Sequence, residues 1–188
     1  MRARASGQSA YLLLDVIERL DQLHISYAVI GAMAASFYGV VRASLDADAV
    51  ISLASVKAGI PVLRKALDQK GLKVSFHSGD RDDPIGAVMN IEDKFGNRVD
   101  LLMNIKGVSE DIFSRTISSK LENTKILFAG PEDFIAMKIF AGSPQDISDA
   151  RGVFQVSAGK IDKTLLKKLV SVYGPSALKT LESLLKNF

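Results

Sequence analysis

The chain has 188 residues, of which 47% are hydrophobic and 24% charged, as in an ordinary globular protein. It has no cysteine, which excludes disulfides, thiolate nucleophiles and cysteine-ligated zinc, and its two histidines leave oxygen atoms as the main ligands for any metal ion. The net charge of +3 is concentrated in residues 160–188, where six lysines stand against two acidic residues.

No apolar stretch reaches the roughly 18 residues needed to span a membrane. Asp15, Glu18 and Arg19 interrupt the apolar segment that follows the basic start of the chain, so a signal peptide is not indicated. We therefore expect a cytoplasmic protein with no membrane partner.

In chain order, the first elements predicted are a helix, a short strand, a second helix and a second strand. Apolar residues at a helical spacing over 9–24 indicate an amphipathic helix. The apolar run 27–30 ends at Gly31, which predicts a buried strand followed directly by a helix over 32–38. Residues 45–52 alternate between apolar and polar side chains and predict another strand.

The middle of the chain predicts one helix and then a group of strands. Ser55 is placed to cap a helix that runs to about Gln69. A turn at Lys94–Asn97 would join the last two strands of the group as a hairpin. The strand patterns lie at 72–76, 86–92 and 98–103.

The pattern becomes helical after a strand at 125–129. Pro131, followed by two acidic residues, is typical of a helix start. We therefore expect an α/β (α+β) fold, in which residues 1–130 form a mixed β-sheet with helices and residues 131–188 form a helical region packed on it. Three more helices are predicted near 145–157, 162–173 and 175–187.

The first candidate site is Asp46-Ala47-Asp48 on the second predicted strand. Residues two apart on a strand share a face, with Cα atoms roughly 6.5–7 Å apart. Held together, the two carboxylates repel each other unless a cation lies between them, so a divalent ion is one solution. The alternative is a pair of solvated aspartates on an exposed strand face. The opposite, core-facing set would be Leu45, Ala47, Ala49 and Ile51.

A third acidic residue, Asp100, lies between Val99 and Leu101 in an apolar predicted strand. An acid in such a run needs a partner. Two partners are possible on that strand face: Arg98, or a metal ion shared with the earlier aspartates.

The junction Ile30-Gly31-Ala32 is a weaker candidate site. Glycine allows close approach of the backbone, and the first N–H groups of the following helix can bind a phosphate. Many strand–helix turns contain a glycine for conformational reasons alone.

The order of these pieces resembles the nucleotidyltransferase superfamily related to DNA polymerase β. The motif of that superfamily is Gly-Ser or Gly-Gly, then Asp-x-Asp or Asp-x-Glu, then a third acid downstream. Thirteen residues separate Ala32 from Asp46, at the long end of the superfamily's range. A closer similarity, to the AbiEii-like branch of bacterial abortive-infection toxins, lies in 27–34, 38–48 and 131–138 and in the following Asp146 and Asp149.

The resemblance implies transfer of a nucleoside monophosphate from an NTP to a hydroxyl acceptor. It implies that Asp46 and Asp48 hold two Mg²⁺ (or Mn²⁺) ions, and that Asp100 completes the site and helps to deprotonate the attacking hydroxyl. The implied acceptor is an RNA 3′ end such as that of tRNA, a protein or a small molecule. An antitoxin partner is implied if the protein is a toxin.

The resemblance also assigns residues to the triphosphate. Gly31 and the amide of Ala32 would receive the β- and γ-phosphates, and Arg42 and Lys138 would neutralise them. Ala32 departs from the serine or glycine of the superfamily, so a hydroxyl contact to phosphate is absent. Supporting roles fall to Asp146 and Asp149, which would orient Lys138 or cap a helix.

Two alternatives remain open at this point. One is a catalytically silent module of the same fold that binds a nucleotide or a partner protein. The other is a nucleic-acid-binding protein that uses the basic C-terminal helices, in which the acidic residues are only structural.

Overall fold

A computed structural model describes residues 2–55, 59–68 and 71–186. The first half contains α1 (Ser9–Gln22), β1 (Tyr27–Ile30), α2 (Gly31–Phe37), β2 (Asp46–Ile51), α3 (Ile60–Asp68), β3 (Lys73–Ser78), β4 (Ile85–Glu92) and β5 (Arg98–Ile105). The second half contains a short 3₁₀ helix (Glu110–Arg115), β6 (Ile117–Leu121), β7 (Thr124–Phe128), α4 (Pro131–Ala141), α5 (Pro144–Ser157), α6 (Lys163–Ser171) and α7 (Pro175–Leu185).

The strands form one seven-stranded mixed sheet in the order β3-β4-β5-β2-β1-β7-β6. The β2–β5 and β1–β7 pairs are parallel, and the other neighbouring pairs are antiparallel. The expectation of a mixed α/β fold is confirmed. Because β2 and β5 are neighbours in the middle of the sheet, side chains far apart in sequence meet on its surface.

The main core lies on one face of this sheet. Ala47 and Ala49 of β2 and Val99 and Leu101 of β5 are almost fully buried, and α1 packs across these two strands. The same core continues into the C-terminal helices through Phe134, Phe154, Leu166 and Leu181. The division of the chain at residue 130 stays a prediction.

Local sequence signals explain where the C-terminal helices begin. Proline occupies the first turn of α4, α5 and α7, where its missing N–H is not needed. Asp162 accepts hydrogen bonds from the amides of Thr164 and Leu165 and thereby caps α6. Among the described residues, no helix is both long and apolar enough to cross a membrane.

The structure corrects two local predictions and adds one strand. Ser55 does not cap a helix, because α3 begins at Ile60, and the Ser55 hydroxyl donates instead to the carbonyl of Ser52. Leu45 does not face the core: β2 begins one residue later, and 84% of Leu45 is exposed. The edge strand β6 was not predicted, because its sequence Ile-Ser-Ser-Lys-Leu is mostly polar and solvent-facing. Parts of two predicted helices, at 56–58, 69 and 187, fall outside the described residues.

Candidate active site

Three aspartates converge on the face of the sheet opposite the main core. Asp48 of β2 lies directly beside Asp100 of β5 in the parallel register, and Asp46 precedes Asp48 by two residues on the same strand face. Each of the three half-buried carboxylates offers an oxygen within 4.8 Å of the others. The structure thus brings together all three residues that the sequence predicted as metal ligands.

The alternating sequence of β2 and β5 puts these carboxylates on one face. Ala47 and Val99 are register partners and point into the core, so the residues on either side of them must point away from it. A slip of one residue would bury the aspartates and expose the apolar side chains. The main core therefore fixes the position of the candidate site.

The electrostatics of Asp48 reflect this crowding. Burial is the largest cause that raises the pKa of Asp48 to about 6, and the carboxylates of Asp46 and Asp100 add to it. The positive charges of Lys138 and Arg42 act in the opposite direction and lower the same pKa. A site that disfavours its own ionised carboxylate is one where an added cation is strongly attracted.

The donor set fits a hard divalent cation. Carboxylate oxygens are the ligands preferred by Mg²⁺ and Mn²⁺, and three of them here can reach one point. No histidine belongs to the cluster, so a site of the zinc type is not favoured.

Besides the other two aspartates, Asn90 and Arg98 are polar neighbours of Asp100. The Asn90 side-chain amide donates a hydrogen bond to Asp100 Oδ1 at 2.8 Å, whereas Arg98 Nη2 lies 3.8 Å from Oδ2 and is half-exposed. Asn90 was missed in the sequence, although a hairpin turn at Lys94–Asn97 would have placed it opposite Asp100. The Ser44 hydroxyl donates a hydrogen bond to Asp46 Oδ1, and this contact was likewise not predicted from the sequence.

Gly31 is required where β1 meets α2. Its φ is +64°, in the left-handed region, and a Cβ atom there would lie only 2.1 Å from Asp48 Oδ2. Gly31 therefore allows the main chain to approach the aspartate cluster closely. The first amides of α2, including that of the buried Ala32, have no partner within the helix.

The remaining predicted residues form a second charged cluster, composed of Arg42, Lys138, Asp146 and Asp149. Lys138 Nζ lies 2.7 Å from Asp146 Oδ1 and 3.2 Å from Asp149 Oδ2. Arg42 Nη1 lies 2.8 Å from Asp149 Oδ2, and the side chain of Asp149 is fully buried. One buried carboxylate thus holds both cations that the sequence assigned to the triphosphate.

Burial would raise the pKa of both acids of this second cluster, but hydrogen bonds reverse that effect. Bonds from Lys138 and Ser143 lower the pKa of Asp146 below its usual value. Asp149 accepts from Gln145, Lys138 and Arg42, which also lower its pKa. Both acids are therefore ionised at neutral pH and paired with cations.

Asp146 makes contacts that match both possibilities considered from the sequence. It pairs with Lys138, and with Ser143 it forms a capping box at the start of α5, in which the Ser143 hydroxyl accepts from the Asp146 amide. Asp149 does not cap the helix. It lies one turn further along α5 and faces Arg42 and Lys138.

A family comparison decides how these features are classified. The family described as "Nucleotidyl transferase of unknown function (DUF2204)" matches residues 10–187. The chain belongs to this nucleotidyl transferase family. A search of curated proteins finds no match.

Solved structures of nucleotidyl transferases share the fold. An antigenic nucleotidyltransferase-like protein from Paracoccidioides brasiliensis is 17% identical, with a TM-score of 0.53, over 98% of this chain and 95% of that one. ANT(2″)-Ia, solved with adenylyl-2″-tobramycin, is 14% identical, with a TM-score of 0.61, over 89% and 99%. The lincomycin-bound lincosamide adenylyltransferase LnuA is 11% identical, with a TM-score of 0.51, over 82% and 99%.

These findings confirm membership of a nucleotidyl transferase family and the nucleotidyl transferase fold expected from the sequence. The AbiEii-like branch stays a prediction, as do the catalytic and nucleotide-binding roles of individual residues in this nucleotidyl transferase.

Proposed function

We propose that this nucleotidyl transferase uses a divalent metal ion to move a nucleoside monophosphate from an NTP to a hydroxyl acceptor. The observation that carries the proposal is the convergence of Asp46, Asp48 and Asp100, whose carboxylate oxygens lie within 4.8 Å of one another. Family membership supports the reaction class, and the chemistry of the cluster supports the metal.

The three aspartates would hold Mg²⁺ or Mn²⁺. When bound, the metal would stabilise the negative charge on the entering and leaving oxygens at the α-phosphate. Asp100 would accept the proton of the acceptor hydroxyl, whose oxygen forms a bond to the α-phosphorus. The bond from the α-phosphorus to the bridging oxygen breaks, and pyrophosphate leaves.

Residues next to the aspartates would position the triphosphate. Gly31 permits close approach of the main chain, and the amides that follow, including that of Ala32, would donate to the β- and γ-phosphates. Arg42 and Lys138 would supply positive charge, since both already act on Asp48. Asp149 would keep the two cations together before the nucleotide binds.

Among the acceptors implied by the resemblance, a small molecule is favoured over RNA or protein. The fold similarity extends over 99% of ANT(2″)-Ia, solved with adenylyl-2″-tobramycin, and over 99% of lincomycin-bound LnuA. Both structures contain a small molecule, and neither of those chains has an additional domain outside the shared fold that would bind an acceptor.

The finer assignment, to an AbiEii-like toxin with an antitoxin partner, is supported by the sequence segments 27–34, 38–48 and 131–138. If it holds, induction of the wild-type chain in a bacterial host arrests growth, and the Asp46→Asn/Asp48→Asn variant does not. Growth that continues with wild-type protein expressed at the same level would contradict the toxin assignment but not the reaction.

The reaction is tested with α-labelled NTPs, Mg²⁺ and three acceptor pools: a small-molecule extract, total tRNA and a protein extract. The wild type and an Asp82→Asn control, altered at an exposed loop position, are expected to transfer label. The Asp46→Asn/Asp48→Asn variant is expected to lose transfer by at least about a hundredfold, because it lacks two of the metal-binding charges.

Two other results would point away from this proposal. Transfer that persists in the double variant would exclude the aspartates as the reaction centre. Stabilisation by Mg²⁺ and nucleotide that is confined to wild type, with no transfer to any pool, would instead identify a silent binding module.

A further inference from the structure

A cavity of about 210 Å³ lies beside the second charged cluster, and the proposed reaction does not yet assign it a ligand. Ten residues line it, and eight of them have apolar side chains. Ile30, Ile85, Met137 and Phe140 contribute to these apolar walls. The two charged residues in the lining are Lys138 and Asp146.

Two observations place this cavity next to the aspartate cluster. Ile30 is the direct register partner of Asp48 across the β1–β2 pair, so the two side chains lie on the same face of the sheet. Lys138 lines the cavity and also acts electrostatically on Asp48. A ligand in the cavity would therefore border the site where the α-phosphate reacts.

The charged groups in the lining are already paired. Lys138 and Asp146 bind each other at 2.7 Å, and Asp146 also accepts from Ser143. Burying a polar group without a partner is unfavourable, so an aminoglycoside ammonium would find no free carboxylate in this lining. The edges of a nucleobase, which carry several donors and acceptors, would likewise find few partners there.

The volume of the cavity limits the size of the ligand that it can hold. Sites for complete drug-sized ligands usually measure about 300 to 1,000 Å³. At about 210 Å³, this one suits a single ring or a short branched chain. A polymer such as RNA would also need phosphate contacts along a groove, which an apolar cavity does not offer.

We propose that this cavity holds the body of the acceptor, and that the acceptor is a small uncharged alcohol or phenol with a compact apolar body. Its hydroxyl would face the aspartates while its ring or aliphatic part contacts Met137 and Phe140. The proposal rests on the proposed function, because it assigns a substrate class to the same site.

Binding is tested without turnover by NMR of the intact protein with ¹³C-labelled methionine methyl groups and cyclohexanol as the probe. Met137 lines the cavity, whereas Met89 and Met103 lie in the main core and serve as internal references. Cyclohexanol is expected to shift the Met137 methyl signal saturably and to leave the two references in place. Adenosine and tobramycin, tested separately, are expected to leave Met137 unmoved.

Two variants that fill the cavity and one control variant outside it make the binding test specific. Ala141 lines the cavity and is exposed, so Ala141→Trp is expected to fill part of the cavity and weaken cyclohexanol binding by about tenfold or more. Ala141→Leu adds less volume and is expected to have an intermediate effect. Gln155→Trp, at an exposed position of α5 that does not line the cavity, should bind within about twofold of wild type.

Each of the following results would contradict either the proposal or the reaction on which it rests. A Met137 shift with adenosine would identify a nucleobase subsite, and a shift with tobramycin would identify a polycation site. No cyclohexanol shift in wild type, or an undiminished one in Ala141→Trp, would leave the cavity without this role. Cyclohexanol binding in a protein that fails the label-transfer assay would contradict the proposed reaction while leaving the cavity's chemistry intact.

Discussion

The aspartate cluster on β2 and β5 and the second charged cluster on α4 and α5 are neighbours that differ in their balance of charge. Carboxylates alone make up the first cluster, whereas carboxylates and cations are equal in number in the second. In the first, Asn90 donates to Asp100 and Ser44 donates to Asp46, while the Arg98 guanidinium lies 3.8 Å from Asp100. Lys138 and Arg42 act on Asp48 only electrostatically. In the second, two carboxylates are matched by two cations, and Asp149 contacts both of them.

This difference indicates what each cluster needs from outside the chain. Lys138, Arg42 and Arg98 offset only part of the negative charge of the aspartate cluster, so it gains most from an added divalent cation. The second cluster is complete without a ligand, and its acids hold Arg42 and Lys138 in place. The first cluster should therefore respond to metal ions, and the second should contribute to the stability of the metal-free protein.

The largest stability effect is expected from Asp149→Asn. Removing the charge leaves Lys138 and Arg42 without their shared buried partner, and breaking a buried ion pair commonly costs 3 to 5 kcal/mol. Arg42 is one-third exposed and recovers some solvation, so we expect a loss of about 2 to 3 kcal/mol in the free energy of unfolding, measured with urea.

The matched control is Asp162→Asn, which weakens only the cap of α6 and should cost about 1 kcal/mol or less. Equal losses in the two variants would mean that the ion pairs of Asp149 add little stability. The contrast between the two clusters would then fail.

A middle-sized effect is expected on metal affinity when Asn90 is changed to Ala. Substitution of a residue that orients a metal ligand commonly weakens metal affinity by about 10- to 100-fold. Asn90 is such a residue, because its side-chain amide donates to Asp100 at 2.8 Å. Titration of the metal-free protein with Mn²⁺, followed by electron paramagnetic resonance, measures the change. The result distinguishes the two protein partners of Asp100.

Arg98→Met is the comparison variant for this measurement. Its guanidinium is 3.8 Å away and half-exposed, a geometry that contributes only about 1 kcal/mol or less. It should therefore change Mn²⁺ affinity by less than about fivefold. A larger change for Arg98→Met than for Asn90→Ala would make the arginine the main partner of Asp100.

The sequence predicted the aspartate cluster because short-range patterns determine it. Alternation places Asp46 and Asp48 on one strand face and Asp100 on the corresponding face of another strand. Which strands become neighbours is a long-range property, so the resemblance to a known superfamily was needed to join them. The hydrogen bond from Asn90 follows from the hairpin register, but only once its turn is placed correctly.

The second cluster could not be assembled from local patterns. Arg42 and Asp149 are 107 residues apart, and nothing near either one indicates the other. Periodicity also gave no signal for β6, whose solvent-facing polar residues do not alternate with apolar ones. Leu45 was misplaced because strand alternation was extended one residue beyond the start of β2.

A further effect is expected in the pH dependence of the metal-free protein, and a single carboxyl group, that of Asp48, causes it. Burial and two neighbouring carboxylates raise the pKa of Asp48 to about 6, whereas the unfolded value is near 3.8. Between these values the folded state binds more protons than the unfolded state. The contribution of Asp48 is therefore most favourable at low pH and is lost as the pH rises towards 6.

Thermal unfolding of wild type and Asp48→Asn in EDTA, from pH 4.5 to 7.5, isolates this contribution. The melting temperature of the variant should rise relative to that of wild type as the pH increases, whereas Asp82→Asn should keep a constant difference from wild type. Mg²⁺ at pH 7.5 should raise the melting temperature of wild type and leave that of Asp48→Asn nearly unchanged, because the cation replaces the proton as the partner of the carboxylate. If the wild-type and Asp48→Asn curves stay parallel in EDTA and respond equally to Mg²⁺, the aspartate cluster is already compensated by the protein, and its contrast with the second cluster is lost.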